Sequence, residues 1–115
     1  MTIREKIITL GDLKQNWDSY GAAPLRPETI RFAILFALCY RDVLPEKAHV
    51  VPTNSGSIQF EMHNGAKFLE LELYDDNLVA YLSGSEDQET EWKEGTVDPD
   101  DQLIASMLRR MNPVK

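Results

Sequence analysis

Four side chains that could do chemistry fall on two neighbouring stretches in which polar and apolar residues alternate. Glu61 and His63 belong to the first stretch, and Glu70 and Glu72 belong to the second. Because alternate residues of a strand point to the same face, a hairpin would bring all four together on one side of a sheet. Carboxylates and imidazoles bind metal ions and exchange protons, so this group is a candidate metal or acid–base site.

The same alternation weakens that hypothesis. Acid–base catalysis needs two carboxylates in contrasting environments, which separate their pKa values, and a solvated sheet face offers similar environments instead. A metal site would need a second histidine or cysteine nearby, and the sequence pattern does not place His49. We interpret the four residues as a polar outer face, and we expect no catalytic residue, no metal and no cofactor.

A second candidate is the most acidic stretch of the chain, residues 85–94. It contains Glu86, Asp87, Glu89 and Glu91 together with a large aromatic side chain, Trp92. One interpretation is a solvated edge strand that its charges protect from aggregation. The other is a docking surface for a basic protein, with Trp92 as an anchor. The predicted partner-binding set then includes four residues of the neighbouring sheet face: Glu61, Glu70, Glu72 and Tyr81.

A third candidate is an irregular segment, rich in turn-forming residues, that carries Trp17 and Tyr20. Exposed aromatic residues on a loop can anchor a partner, so both are possible loop anchors. We favour a structural role, in which Trp17 plugs the end of the helical layer and Asp18 accepts hydrogen bonds from nearby backbone amides.

Familiar catalytic motifs are absent from the sequence. Ser55-Gly56 and Gly84-Ser85 lack the G-x-S-x-G frame, and there is no phosphate-binding loop, dinucleotide fingerprint or H-E-x-x-H. The single cysteine, Cys39, excludes an intrachain disulfide and lies in the apolar run 32–40, where we expect it to be buried. A small hydrolase is therefore a distant third hypothesis.

Helices are predicted on both sides of these candidates. Thr2 and Glu5 form a capping box for a first helix over about residues 3–15. Pro27 suits the first position of a second helix that ends near residue 43. The apolar run in this second helix predicts a central helix that is covered on more than one side.

A third helix is predicted near the end of the sequence. The run Asp98-Pro99-Asp100-Asp101 reads as a cap, a proline at the first helical position and two acids in the first turn. Asn112-Pro113 would end this helix.

Between the second and third helices the periodicity of the apolar residues changes to two. Asn64-Gly65 predicts a hairpin turn, and a second turn is predicted at Asp76-Asn77. Further strands are predicted at 49–52 and at about 89–94. With two-residue loops, Ile58 would face Leu71, and Leu82 would face Leu71 from the other side.

These turns assign each strand residue to one of two faces. The face under the helices is predicted to hold Ile58, Phe60, Leu69, Leu71, Leu73, Ala80 and Leu82. The outer face is predicted to hold Gln59, Glu61, Phe68, Glu70, Glu72, Tyr74, Val79 and Tyr81. The sequence thus predicts one α+β domain over residues 1–115, with two N-terminal helices, an antiparallel sheet of three to five strands and a C-terminal helix in two layers.

Negative charge is concentrated in the strand half of the chain. Between residues 48 and 101 there are 13 carboxylates and two lysines, Lys67 and Lys93, whereas the whole chain has a net charge of −7. This excess favours a basic protein partner and argues against direct nucleic-acid binding. The N-terminus lacks the pattern of a signal peptide, and the longest apolar run is too short to cross a bilayer. We expect a cytoplasmic protein without membrane contact.

Two motifs resemble those of a group of small uncharacterised proteins of bacteria and phages. One is the N-W-D-x-Y-G-A loop at residues 16–22, and the other is the P-T-x-x-G-x-I-Q-x-E hairpin at residues 52–61 with L-E-L-E at 69–72. Met62 stands where a tryptophan is common in that group. The resemblance covers about residues 13–82 and implies no catalytic residues. It implies a bacterial or phage origin, in surroundings where small inhibitors and antitoxins accumulate.

Together these observations predict a small acidic interaction protein that binds a basic partner protein and inhibits or neutralises it, as an antitoxin, an immunity protein or a phage inhibitor does. The alternative is a structural or housekeeping homodimer without catalysis. Such a dimer would pair through the edge strand or through Phe68, Tyr74 and Val79 on the outer face.

Overall fold

The computed structural model describes residues 1–74 and 77–112, apart from the side chains of residues 89–91. In this part of the chain it contains three helices and one five-stranded antiparallel sheet, so the predicted α+β class is confirmed. The elements in chain order are α1 (Ile3–Leu10), α2 (Pro27–Cys39), β1 (His49–Pro52), β2 (Ile58–Asn64), β3 (Lys67–Leu73), β4 (Val79–Ser85), β5 (Gln88–Val97) and α3 (Gln102–Arg110).

Both N-terminal helices begin where the sequence predicts and end earlier. The Thr2 hydroxyl accepts a hydrogen bond from the Glu5 amide at 3.1 Å, and the Glu5 carboxylate accepts one from the Thr2 amide at 3.2 Å, which confirms the capping box. Gly11 caps the C-terminus of α1, because glycine disfavours continuation of a helix. The α2 helix ends at Cys39, before the predicted residue 43.

The start of α3 differs from the prediction. Asp101 is the N-cap, and its side chain accepts a hydrogen bond from the Leu103 amide at 2.9 Å, so Asp98 and Pro99 precede the helix. The Pro99 carbonyl instead accepts a hydrogen bond from the Tyr40 hydroxyl, which holds this segment against α2. The predicted helix end at residues 112–113 lies partly outside the described residues.

The sheet is a meander with the strand order β1-β2-β3-β4-β5, so each strand pairs with its neighbours in the chain. The β2–β3 turn comes one residue later than predicted: Asn64 pairs with Lys67, and Gly65-Ala66 form the loop. Gly65 has a φ of 61° at the first central position, as a type II′ turn requires. Asn64 stays in the strand, and its side-chain amide donates a hydrogen bond to the Arg110 carbonyl at 3.2 Å.

This change moves the β2–β3 register by two residues, so Ile58 pairs with Leu73 rather than Leu71. A shift of two keeps every side chain on its predicted face, since side chains alternate with a period of two. The buried face of β2 and β3 is therefore as predicted.

The β3–β4 register differs from the prediction by one residue, which turns β4 over. Leu73 pairs with Val79 and Leu71 pairs with Tyr81. Val79 is buried and Tyr81 packs against the core. The prediction that Ala80 and Leu82 face the helices while Val79 and Tyr81 face outward is therefore wrong. Asp76, in the predicted second turn, lies outside the described residues.

The core joins all three helices to one face of the sheet. Phe36 of α2 contacts Phe60 of β2 with ring centroids 5.7 Å apart, and Ile7 and Leu108 bring α1 and α3 into the same buried cluster. The α2 helix contacts both α1 and the sheet, so it is covered on more than one side as predicted, while Leu35 and Leu38 are 58% and 54% exposed. Within the described ranges, no helix has the length and apolar character of a membrane span.

Candidate functional site

The sheet face opposite the buried cluster carries a row of carboxylates. The register places His49, Glu61, Glu70, Leu82 and Glu94 side by side across all five strands. Glu72 lies on the same face, two residues along β3 from Glu70. We call Glu61, Glu70, Glu72 and Glu94 the acidic face. Glu94 was not among the predicted site residues, although its spacing of two from Trp92 puts both on one face of β5.

Glu61 and Glu70 oppose each other directly on β2 and β3. Like charges at such positions are unfavourable. Burial raises the pKa of the Glu70 carboxyl, and the nearby carboxylates of Glu61 and Glu72 raise it further. Within the described part of the chain, neither Glu61 nor Glu70 has an ion pair. These two carboxylates are therefore available to an external cation.

Glu72 is held by the loop before β2. Its carboxylate accepts a hydrogen bond from the Ser57 hydroxyl, and Ser57 is buried. The Ser57 Oγ lies 2.6 Å from the Thr53 Oγ1, and Gly56 between them has a φ of 93°, which suits glycine. Thr53 of the P-T-x-x-G motif and Ser57, the residue after it, thus form a chain of hydroxyls that positions Glu72.

An aromatic row borders the acidic face. The rings of His63 and Phe68 have centroids 5.0 Å apart, and those of Phe68 and Trp92 lie 5.8 Å apart. The Trp92 indole covers Gly84, where an added Cβ would come within 2.8 Å of the Trp92 Cγ. Trp92 remains 39% exposed. Exposed ring faces beside carboxylates suit an arginine or lysine side chain, which aromatic quadrupoles attract.

The acidic run divides between a turn and an edge strand. Glu86 and Asp87 form the β4–β5 turn and are exposed. The Glu86 amide donates a hydrogen bond to the Ala66 carbonyl at 2.8 Å, which ties this turn to the β2–β3 turn. The side chains of Glu89 and Glu91 lie outside the described residues. Because β5 is an edge strand, protection from edge-to-edge pairing is one role for its charges.

Tyr81 does not belong to the acidic face. It pairs with Leu71 and Gly95 and packs against the core, on the side of the helices. Its ring covers Gly95, where an added Cβ would come within 2.8 Å of the Tyr81 hydroxyl. The grouping of Tyr81 with the outer carboxylates was wrong because the β4 register was misplaced by one residue.

The loop with Trp17 and Tyr20 is closed on itself by hydrogen bonds. The Asp18 Oδ1 accepts hydrogen bonds from the Tyr20 and Ala22 amides at 2.9 and 3.0 Å, as predicted. The Ala22 and Tyr20 amides lower the pKa of the Asp18 carboxyl. Trp17 is half-buried and donates to the Ala23 carbonyl at 2.8 Å. It does not join the core cluster, so the predicted plug is wrong. Tyr20 is 92% exposed at the tip of this braced loop.

The structure also places two reactive side chains, Cys39 and His49. Cys39 is exposed at the end of α2, which corrects the prediction that it is buried. His49, which the sequence could not place, opposes Glu61 on β1. Among the described residues, no group of three His, Cys, Asp or Glu side chains could hold a metal ion.

Comparisons of the chain with protein-family models, with curated proteins and with solved structures find no match, and none of them indicates catalysis.

Proposed function

We propose that this protein is a small acidic interaction protein that binds a basic partner protein and inhibits or neutralises it. The observation that carries the proposal is the opposed pair Glu61 and Glu70, neither of which makes an ion pair in the described part of the chain. Two carboxylates directly opposite each other repel, and this repulsion lowers the stability of the fold. A cation from a partner would remove that cost on binding.

The aromatic row supplies the second element of the proposed contact. An arginine of the partner could form hydrogen bonds with Glu61 or Glu70 while its guanidinium plane stacks on Trp92 or Phe68. Glu86 and Asp87, and in our proposal Glu89 and Glu91, extend the negative surface around this centre. Their main effect would be to steer a basic partner and speed its association.

The setting we propose for this contact follows from the fold and the sequence. In our proposal the molecule has two layers, with the helices on one side of the sheet and the acidic face open on the other. The resemblance to small bacterial and phage proteins supports a cytoplasmic role like that of an antitoxin, an immunity protein or a phage inhibitor. We propose no direct contact with nucleic acid or membrane.

A defined cationic probe tests the surface before the partner is known. Titrating the protein with a hexa-arginine peptide should shift the amide NMR signals of Glu61, Glu70, Phe68 and Trp92. The triple variant Glu61→Gln, Glu70→Gln, Glu94→Gln should bind the peptide about tenfold more weakly, since charge-assisted hydrogen bonds are lost. Binding of the wild type should also weaken as salt rises from about 50 to 500 mM.

A control variant with the same net charge as this triple variant tests whether the position of the removed carboxylates matters. The variant Asp12→Asn, Asp42→Asn, Glu46→Gln removes three exposed carboxylates elsewhere and should bind the peptide as tightly as the wild type. Equal weakening in both triple variants would mean that only net charge matters, and the proposed surface would be abandoned. The same two variants then serve as baits for a basic protein in extracts of the native host.

A homodimer without catalysis is the second candidate function, and the exposed leucines of α2 favour it. Leu35 and Leu38 are more than half exposed and lie three residues apart on one helix, so they form a small apolar surface that a second copy could cover. The Val79 side chain is buried, so it does not belong to the outer-face dimer surface on which it was predicted with Phe68 and Tyr74. The molecular mass in solution at low and high salt separates this candidate from the first: a salt-resistant dimer would favour it.

A further inference from the structure

Both lysines of the acidic half of the chain lie at one cavity. Lys67 of β3 and Lys93 of β5 line a cavity of about 400 Å³ together with Arg110 of α3. They are the two cations among residues 48–101, a segment with 13 carboxylates. We call this the cationic cavity. It lies at the end of the sheet where the β2–β3 turn meets the last turn of α3.

The three cations of this cavity are not neutralised by neighbours. None of Lys67, Lys93 and Arg110 has an ion pair in the part of the chain that the structure describes. Three like charges that line one concavity repel each other, and since all three side chains are exposed, water screens this repulsion. No carboxylate makes an ion pair with these cations in the part of the chain that the structure describes, so the cavity offers three unpaired cations to a ligand.

The other lining residues give the cavity an apolar wall and a hydroxyl. Met107 and Met111 of α3 are buried and form part of the lining, and Ser83 of β4 contributes a half-buried hydroxyl group. A volume of this size falls in the range of small-ligand sites. Methionine side chains adapt to apolar groups of different shape.

We propose that the cationic cavity binds a small organic phosphate monoester. The dianionic phosphate would lie between Lys67, Lys93 and Arg110 and accept charge-assisted hydrogen bonds from them. The organic part would contact Met107 and Met111. A phosphate monoester fits better than a monocarboxylate, because a dianion offsets more of the charge of three cations.

This site is independent of the acidic face. In the register, Lys67, Ser83 and Lys93 alternate with Phe68, Gly84 and Trp92 along their strands, so both lysines point away from the acidic face, while Phe68 and Gly84 also line the cavity. The charged residues of the two sites are different, so variants that remove the cations test phosphate binding and variants that remove the carboxylates test the contact with a basic partner. The two proposals therefore stand or fall separately.

Titration with AMP, inorganic phosphate and adenosine tests the cavity. NMR signals of Lys67, Ser83 and Lys93 should shift with AMP, with an affinity near or below about 1 mM. Inorganic phosphate should shift the same signals at higher concentration, since it lacks the contact with the methionine wall. Adenosine, which has no charge to pair, should leave them unchanged.

Charge-removing variants test which cations bind. Lys67→Gln, Lys93→Gln and Arg110→Gln should each weaken AMP binding by about tenfold. Lys14→Gln and Lys47→Gln remove exposed cations elsewhere in the chain and should leave the affinity unchanged. Because all five side chains are exposed, the variants should fold, which thermal melts would verify.

Three results would overturn the proposal. One is the absence of shifts with both AMP and phosphate at millimolar concentration. Another is an equal loss of affinity for AMP in the Lys14→Gln and Lys47→Gln variants, which would mean that only the net charge of the protein determines binding. The third is AMP binding no tighter than inorganic phosphate, which would remove the organic monoester as the ligand.

Discussion

Glu70 combines two opposing properties at the scale of a single residue. It is partly buried in the middle of the sheet, and carboxylates lie beside it on β2 and further along β3. Its pKa is raised by burial first and then by Glu61 and Glu72. The charged form, which the proposed cationic partner would need, is therefore the form that costs the isolated protein stability.

The pH dependence of stability reports this cost. Since the pKa of Glu70 in the folded protein exceeds its ordinary value of 4.5, the penalty is absent when pH is well below that value and grows as pH rises through the folded pKa. Glu70→Gln should raise the free energy of unfolding at pH 7 by roughly 0.2–1 kcal/mol. Urea melts at pH 7 and at about pH 3.5 should show the gain shrinking at the lower pH.

Glu86→Gln is the matched control for this measurement, because Glu86 lies exposed in the β4–β5 turn. Its stability should follow that of the wild type at both pH values. A gain for Glu70→Gln that stays constant between the two pH values would show that charge is not its cause.

At the scale of elements, β4 and β5 each place an aromatic ring over a glycine of the other strand. Trp92 of β5 covers Gly84 of β4 on the outer face, and Tyr81 of β4 covers Gly95 of β5 on the face toward the helices. A large ring over a glycine restores the cross-strand contact that the missing side chain would make. These two contacts fix the register of β5, the edge strand. The pairing of β5 with β4 shifts between Ser83 and Ser85.

A double-mutant cycle tests the first of these pairs. Gly84→Ala should destabilise the protein by about 1–3 kcal/mol, because its Cβ would overlap the Trp92 ring. The same substitution in a Trp92→Ala background should cost far less, since the overlap is gone. Chemical denaturation of the four proteins gives the interaction energy. Equal costs in both backgrounds would mean that the indole does not lie on Gly84.

The orientation of β4 can be tested through two leucines. Leu71 is fully buried under the helices, so Leu71→Ala should cost about 2–5 kcal/mol. Leu82 lies on the opposite face and is only half-buried, so Leu82→Ala should cost clearly less. Urea melts distinguish this from the arrangement in which Leu82 faces the helices, which would make the two losses similar.

These elements also show what the sequence could and could not predict. The alternation of Ile58, Phe60 and Leu71 with polar residues assigns β2 and β3 to their correct faces, because a buried face imposes a period of two. The number of residues in the connection between β3 and β4 determines which face of β4 is buried. Leu82 and Val79 are both apolar, so the sequence pattern does not show which of them faces the helices. Tertiary contacts therefore decide its orientation.

The candidate site likewise combines residues that local alternation predicts with residues that only tertiary contacts bring together. Glu61, Glu70 and Glu72 share one face as the alternation predicts. The aromatic row depends on rings that approach each other across strands, and the cationic cavity depends on the meeting of Lys67, Lys93 and Arg110, which are far apart in the chain. Neither grouping leaves a signal in local sequence spacing.

At the scale of the whole molecule, the sheet separates charges of opposite sign. The acidic face lies on one side, and the two lysines of the cationic cavity point to the other side, toward α3. The exposed leucines of α2 give the helical side an apolar surface of its own. One small chain thus carries surfaces of three different chemistries: acidic, cationic and apolar.

The meander also governs how such a chain reaches its native state. Strands that follow one another in space as they do in the chain need only short loop closures, whose entropic cost is small. The tight turns at 65–66 and 86–87 can close hairpins in roughly 1–10 μs. The distant step is the docking of α1 against β1, where the Lys6 ammonium group donates to the Ala48 carbonyl at 3.0 Å. We therefore expect fast folding, in which the sheet assembles from its turns and the arrival of the terminal helices sets the rate.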